Sequence, residues 1–317
     1  MRAFFSLSTI LLLLASNAAA HTVDLTSLPL SDGRVSSEPR AGSIFACQTR
    51  FNPNAPGAQR SGDWLNEIAG TFDLTRKPTV DGNVVHLSEL EIVVSGKHRL
   101  ITGNALPDHP TGQFPVSRSD DAYYYDRNPN TIRAHAFSVS LPTNPANAER
   151  PSCLPMGAIG IMLTGAVLFN ALDARGENAL AHEILDNCQG HPQRSGLYHY
   201  HGKSPCQNDL GPATEHSTLI GYALDGFAIY GYYGEGGALL TSGDLDECHG
   251  HVGQVMVDGE MQTIYHYHAT PDYPYTLSCF KGDPTSIAGL AERARRAGPD
   301  EPRRSDGFGR PPRRRPR

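Results

Sequence analysis

The chain contains one stretch of about sixty residues twice, and a fold has to accommodate both copies. Ile159-Gly160-x-x-Leu163-x-Gly165-x-x-x-Phe169 aligns without a gap onto Ile220-Gly221-x-x-Leu224-x-Gly226-x-x-x-Tyr230. Asp186-x-Cys188-x-Gly190-His191 aligns onto Asp246-x-Cys248-x-Gly250-His251. Tyr198-His199-Tyr200-His201 and Cys206 then match Tyr265-His266-Tyr267-His268 and Cys279. Self-similarity at this period means two copies of one supersecondary unit, at about 159–206 and 220–279. Repetition puts special residues at pseudo-symmetric positions. Packing about a pseudo-twofold axis would let both Tyr-His-Tyr-His strands approach that axis.

Each unit opens as a hairpin. Ile161–Leu163 and Val167–Phe169 flank Thr164-Gly165, and Leu219–Leu224 and Phe227–Tyr230 flank Asp225-Gly226. Asp-Gly suits a type I′ turn, and Asp258-Gly259 likewise splits Gln254–Val257 from Met261–His268. Val84–Val94, Arg99–Thr102 and Ile132–Leu141 also read as strands. Glu177–Leu185 reads as the one good internal helix, and 286–297 as a terminal one. The expected fold is mainly β and sandwich-like, with antiparallel strands, the duplication and one or two short helices.

The ends read differently. Arg2, the apolar run Phe4–Leu14 and Ala18-Ala19-Ala20 form a signal peptide over residues 1–20, too short to be a spanning helix. Residues 21–42 read as a loose segment, 43–285 as the main domain, and 286–317 as the terminal helix with a disordered Pro/Arg-rich tail. Residues 302–317 carry seven Arg and one Asp, +6, which leaves −12 on the rest of a chain whose net charge is −6. The acidic body excludes nucleic acid as the main partner. The tail is a solvated end, or touches an anionic surface. Export to a periplasm or medium would suit six cysteines, an even set expected to form three disulfides. The symmetric pairing is Cys188–Cys206 and Cys248–Cys279, leaving Cys47–Cys153; a cross-paired arrangement is equally symmetric.

The chemistry concentrates on imidazoles. Alternation along a strand puts His199 and His201 on one face, and His266 and His268 likewise, with Tyr198, Tyr200, Tyr265 and Tyr267 on the other. Two imidazoles two residues apart on a rigid strand suit one transition metal. His191 and His251, each in a duplicated Gly-His, supply the third ligand. Asp186 and Asp246 are candidate acceptors for ring N–H groups, and the tyrosines would wall the site. The plainer reading is hydrogen-bonded strand residues, since Tyr is ordinary on strands. His86, His98, His135, His182 and His216 read as structural, and so does His249, which has Gln189 as its counterpart. Cleavage after Ala20 would make His21 the mature N-terminus, where amine and ring can chelate copper; the plainer reading is a His that follows the cleavage site.

These residues resemble the YHYH domain family. The resemblance spans roughly residues 60–280 and includes ITGNALPDHPTGQFPV at 101–116, YDRNPNTI at 125–132 and GYALDGFAIYG at 221–231. It implies an exported protein and raises Asp108, His109 and Asp225, which lie inside those motifs. His109 would be an outside metal ligand, and Asp225 the turn residue of its hairpin.

Three functions follow from this pattern. The first is an exported metal-binding protein, copper favoured over zinc by the order of transition-metal affinities. The second is a secreted metalloenzyme, with a three-His zinc site of the carbonic-anhydrase type or a copper redox centre. No nucleophile elbow, P-loop or His-Glu-x-x-His is present, and His182-Glu183 lacks the second His. The third is a metal-free module that stacks exposed Tyr and His against carbohydrate or peptide.

Overall fold

A computed structural model describes residues 22–209 and 215–290. Three strands, β1 (Leu90–Ser95), β2 (His98–Gly103) and β3 (Phe137–Pro142), form an antiparallel sheet. The duplicated units supply β4 (Ala158–Met162), β5 (Val167–Phe169), the single-turn α1 (Ala179–His182), β6 (Gly190–Pro192) and β7 (Tyr198–Tyr200). Their second copy supplies β8 (Leu219–Ala223), β9 (Ala228–Tyr230), β10 (Gly250–Val257) and β11 (Glu260–His268). These eight strands make one sheet in the order β6-β7-β5-β4-β8-β9-β11-β10.

The order is a palindrome of the two units. At the centre β4 pairs antiparallel with β8, Ile161 opposite Tyr222, flanked by Met162–Gly221 and Gly160–Ala223. Ile161 and Tyr222 are equivalent positions of the duplication, so a residue faces its own copy. Leu163 N–H donates to Ile220 O and Leu224 N–H to Ile159 O, both at 2.9 Å, again an equivalent pair. Such reciprocity defines a local twofold axis. Between adjacent antiparallel strands that axis stands normal to the sheet, so equivalent side chains share a face.

The axis does not collect the Tyr-His-Tyr-His strands, contrary to the sequence expectation. The first strand of each hairpin occupies the seam. β7 and β11 instead add in parallel to the far edges of β5 and β9. Parallel addition needs a long crossover, supplied by α1 with β6 in one unit and by the loop with β10 in the other. β7 and β11 end up five strands apart, about 24 Å at ~4.8 Å per strand.

The smaller sheet packs on the larger one. Arg99 of β2 is buried, with its guanidinium 4.3 Å above the Tyr222 ring and 2.7 Å from Asp258 in the β10–β11 turn. Gly165 and Gly226 turn the two seam hairpins at φ +91° and +94°. A Cβ there would strike Leu106 O and Pro142 respectively, so the layers close directly over these turns. The disulfides are Cys47–Cys153, Cys188–Cys206 and Cys248–Cys279.

Several boundaries differ from the sequence reading. The helix expected over 177–185 is one turn, capped by the Asn178 side chain and ended at Glu183, whose backbone is extended. Residues 84–89 do not join β1; Asn104 holds them through Glu89 N–H and Leu87 O. β3 begins at Phe137, not Ile132. Residues 22–42 are not loose: Leu28–Pro29 pairs with Thr71–Phe72, and Leu28 is buried. Ala288 bridges Ser138, so no helix starts at 286. The signal peptide, His21 and the basic tail lie outside the described residues.

The tyrosines face a buried polar layer. Tyr198 donates to Asp186 (2.9 Å), Tyr265 to Asp246 (2.9 Å) and Tyr267 to Asp225 (2.5 Å). Tyr200 bonds Thr164 Oγ1 at 3.2 Å and, on its other side, His109 Nε2. Burial and the neighbouring carboxylates push the Tyr198 and Tyr267 hydroxyls well above their ordinary value, so both remain donors. Tyr198, Tyr200 and Tyr267 are fully buried and present no ring to a sugar or peptide. Tyr267→Phe should cost about 1–3 kcal/mol in urea unfolding, because buried Asp225 loses its hydroxyl donor and keeps only the N–H groups of Gly282 and Phe227, while Lys281 N–H loses its acceptor. An unchanged midpoint would contradict this account of the layer.

Candidate metal centres

His199 and His201 project from the face of β7 opposite its tyrosines, and His191 reaches them from β6, its direct partner in the register. The three Nε2 atoms stand 3.1, 3.2 and 3.4 Å apart. In the second unit β10 and β11 place His251 opposite His266. Their Nε2 atoms are 3.0 Å apart, and His266 and His268 are 3.1 Å apart. The two triads are separate, one towards each end of the sheet.

Backbone carbonyls fix the tautomers. His201 Nδ1 lies 2.6 Å from Asn170 O, and its counterpart His268 Nδ1 lies 2.7 Å from Gly231 O. His199 Nδ1 meets Leu197 O at 3.2 Å and His266 Nδ1 meets Ile264 O at 3.1 Å. A carbonyl can only accept, so each Nδ1 carries the proton and each Nε2 presents a lone pair. Lone pairs then converge on one point in each unit. With metal–nitrogen distances of ~2.0–2.1 Å, ligand atoms around a tetrahedral ion sit about 3.3 Å apart. The observed spacings match that edge, so the residues fit a transition-metal ion.

Each triad gains a fourth group that the sequence reading left out. Glu183 Oε2 lies 2.8 Å from His191 Nε2 and 3.5 Å from His201 Nε2. These are ion-pair distances; the oxygen is buried and lacks an aligned hydrogen-bond donor. A carboxylate oxygen set against the ring nitrogens of His191 and His201 suits a cation held among them. In the second unit the fourth group is His216, with Nε2 3.2 Å from His266 Nε2 and Nδ1 2.8 Å from Ser217 O. His216, His251, His266 and His268 hold their ligand atoms within 4.8 Å of one another. Duplication could not reveal either group, because Pro155 stands at the counterpart of His216 and the segment holding Glu183 has no aligned match. The usable signal was local. Glu183 directly follows a capped turn, and His216 precedes β8 by three residues.

The other candidates go elsewhere. Asp186 and Asp246 do not accept from imidazoles; they gather the N–H groups of Cys188 and Gly190, and of Cys248 and Gly250. The sulfurs near His109 form the Cys188–Cys206 disulfide and offer no thiolate. His109 sits on the tyrosine face, outside both triads. Asp108 is exposed. The walls of the centres are Phe169, stacked on His199 at 4.0 Å, and its equivalent Tyr230, edge-on to His266 at 5.1 Å.

Electrostatics separates the triads. Burial and the flanking imidazoles hold His199 well below its ordinary value. Burial and His251 pull His266 down to about 3, and burial with His266 holds His268 well below. Burial also opposes charge on His191, but Glu183 outweighs it and raises the ring's pKa. Burial favours neutral Glu183, and His191 and His201 override it, keeping the carboxyl well below its ordinary range.

The sign of the pH effect follows. In the unfolded chain each His takes its proton near 6.5. Below that value the unfolded metal-free chain binds protons that folded His199, His266 and His268 refuse, so stability falls as pH falls. His191 has the opposite sign, contributing below 6.5 and losing that contribution as pH rises through its folded value. Burial also lowers His86, His249 and His251, so the histidines held neutral outnumber His191. Metal-free protein should lose stability between pH 6.5 and 5, by roughly 1.4 kcal/mol per pH unit for each group held neutral. Urea midpoints measured across that range check this, and a flat profile would contradict it.

Residues 138–239 and 235–282 match the model of a family described as YHYH protein. The chain matches no curated protein and no solved structure.

Proposed function

We propose that this chain, which matches the YHYH protein family model over residues 138–239 and 235–282, is an exported metal-handling protein with two histidine-rich centres. The observation that carries this reading is the convergence of Nε2 atoms in each cluster, with the Nδ1 protons of His199, His201, His216, His266 and His268 already committed to carbonyls. Without a cation or a proton between them the Nε2 lone pairs repel in a low-dielectric interior. The ligands are His191, His199, His201 and Glu183 in one centre, and His216, His251, His266 and His268 in the other.

Copper is favoured over zinc by the affinity order for imidazole sites. Zinc suits the near-tetrahedral spacing equally well. Binding is favoured over hydrolytic catalysis, because a catalytic zinc keeps a position open for water, and here Glu183 and His216 stand where a fourth ligand belongs. Export agrees with the N-terminal signal pattern and with three disulfides. Among the described residues no helix is long and apolar enough to cross a membrane.

Elemental analysis of protein expressed into an oxidising compartment tests the reading. Two equivalents of metal per chain are expected. His199→Ala should lower the content by one equivalent, His266→Ala by another, and the double variant should hold almost none. A folded wild-type protein with no metal, even after incubation with copper and with zinc, would overturn it.

A further inference from the structure

The duplication has made two frames of one design and filled them differently. In the first centre all three histidines and Glu183 are buried, at 3–8% exposure. Its outer strand β6 is covered: Asn128 and Asn130 both donate side-chain N–H to Pro192 O, at 3.2 Å. Phe169 closes the centre from above His199. Its four ligands include one carboxylate, which adds a negative charge facing the ion.

The second centre has the opposite character. His266 and His268 are fully buried, but His216 and His251 are partly open to solvent. Its outer strand β10 is the bare edge of the sheet, with Val252 65% and Met256 53% exposed. All four ligands are imidazoles, with no carboxylate among them. An exposed carboxylate, Glu235, lies against Gly253 of β10, where any Cβ would collide with its Oε1. The same Cβ would lie 3.2 Å from His266 Cε1, so the carboxylate sits at the mouth of the imidazole cluster.

We propose that the two centres have divided their roles: the Glu183 centre retains its ion as part of the fold, and the His216 centre exchanges its ion with solvent through His216 and His251. This rests on the two-centre metal reading above. The physical basis is threefold. An anionic ligand raises the attraction for a divalent ion, most strongly where water is excluded. A ligand reachable by solvent can leave and be replaced without opening the core. Glu235 raises the local concentration of cations at that opening.

Exchange kinetics distinguish the centres. The full chain is reconstituted with zinc, and release is followed with an excess of a colorimetric chelator. Two phases of one equivalent each are expected, at least about tenfold apart in rate, in line with the effect of a single outer group on metal affinity. His216→Ala should abolish the fast equivalent and leave the slow one unchanged. Glu183→Gln, which keeps the shape of the side chain, should accelerate the slow phase about tenfold and leave the fast one. Glu235→Gln should slow loading of the fast centre severalfold at low salt, less at high salt. Release of both equivalents in one phase, or loss of the slow equivalent in His216→Ala, would overturn the division of roles while leaving the metal reading intact. Failure of the wild-type chain to take up zinc at all would remove both.

Discussion

The hydrogen bonds from His201 to Asn170 O and from His268 to Gly231 O are what turn a strand motif into a metal site. Each carbonyl lies just past the end of the strand that pairs in parallel with the Tyr-His-Tyr-His strand. It takes the Nδ1 proton and leaves the Nε2 lone pair to face the other rings. The parallel register sets which carbonyl is available, and the seam hairpins set the register. A slip of one residue would put the tyrosines where the histidines are and carry that strand's histidines to the opposite face, away from His191 or His251.

Alternation along one strand serves two purposes on its two faces. The tyrosine face is a closed polar layer in which Asp186, Asp246 and Asp225 tie hydroxyls to loop N–H groups, so the loops that carry Gly190-His191 and Gly250-His251 are fixed by the same residues that fix the strand. The histidine face is left with rings oriented but their Nε2 atoms unmatched. A frame rigid on one face and frustrated on the other is a stable way to keep ligands preorganised. The twofold axis copies that frame to the other end of the sheet.

The duplication made much of this legible before any coordinates. It located both hairpins and both His triads, and it narrowed the disulfides to two equally symmetric pairings, of which the structure has Cys188–Cys206 with Cys248–Cys279. It also misled at the axis, because self-similarity shows that two units are related but not which strand lies at the seam. Its blind spots were the groups without a duplicate. Glu183 and His216 complete the centres from positions where the copies have diverged, so a search for repeated residues passes over both. Propensity failed at 177–185 for a related reason: the chain leaves the helix at Glu183, and the extended backbone there carries the carboxylate to His191. The aspartates were read as partners of the rings because they share the repeat with them. They partner the tyrosines instead, since ring N–H groups already have carbonyls.

The centre of the account is that each cluster of Nε2 atoms surrounds one ion. Anomalous diffraction from crystals grown with copper, and separately with zinc, tests this most directly. The account predicts two peaks per chain, about 2.0–2.1 Å from each set of Nε2 atoms, one also coordinated by Glu183 and the other by His216. Well-ordered crystals in which both clusters lack an anomalous peak, with a ring nitrogen or water at the focus instead, would contradict it.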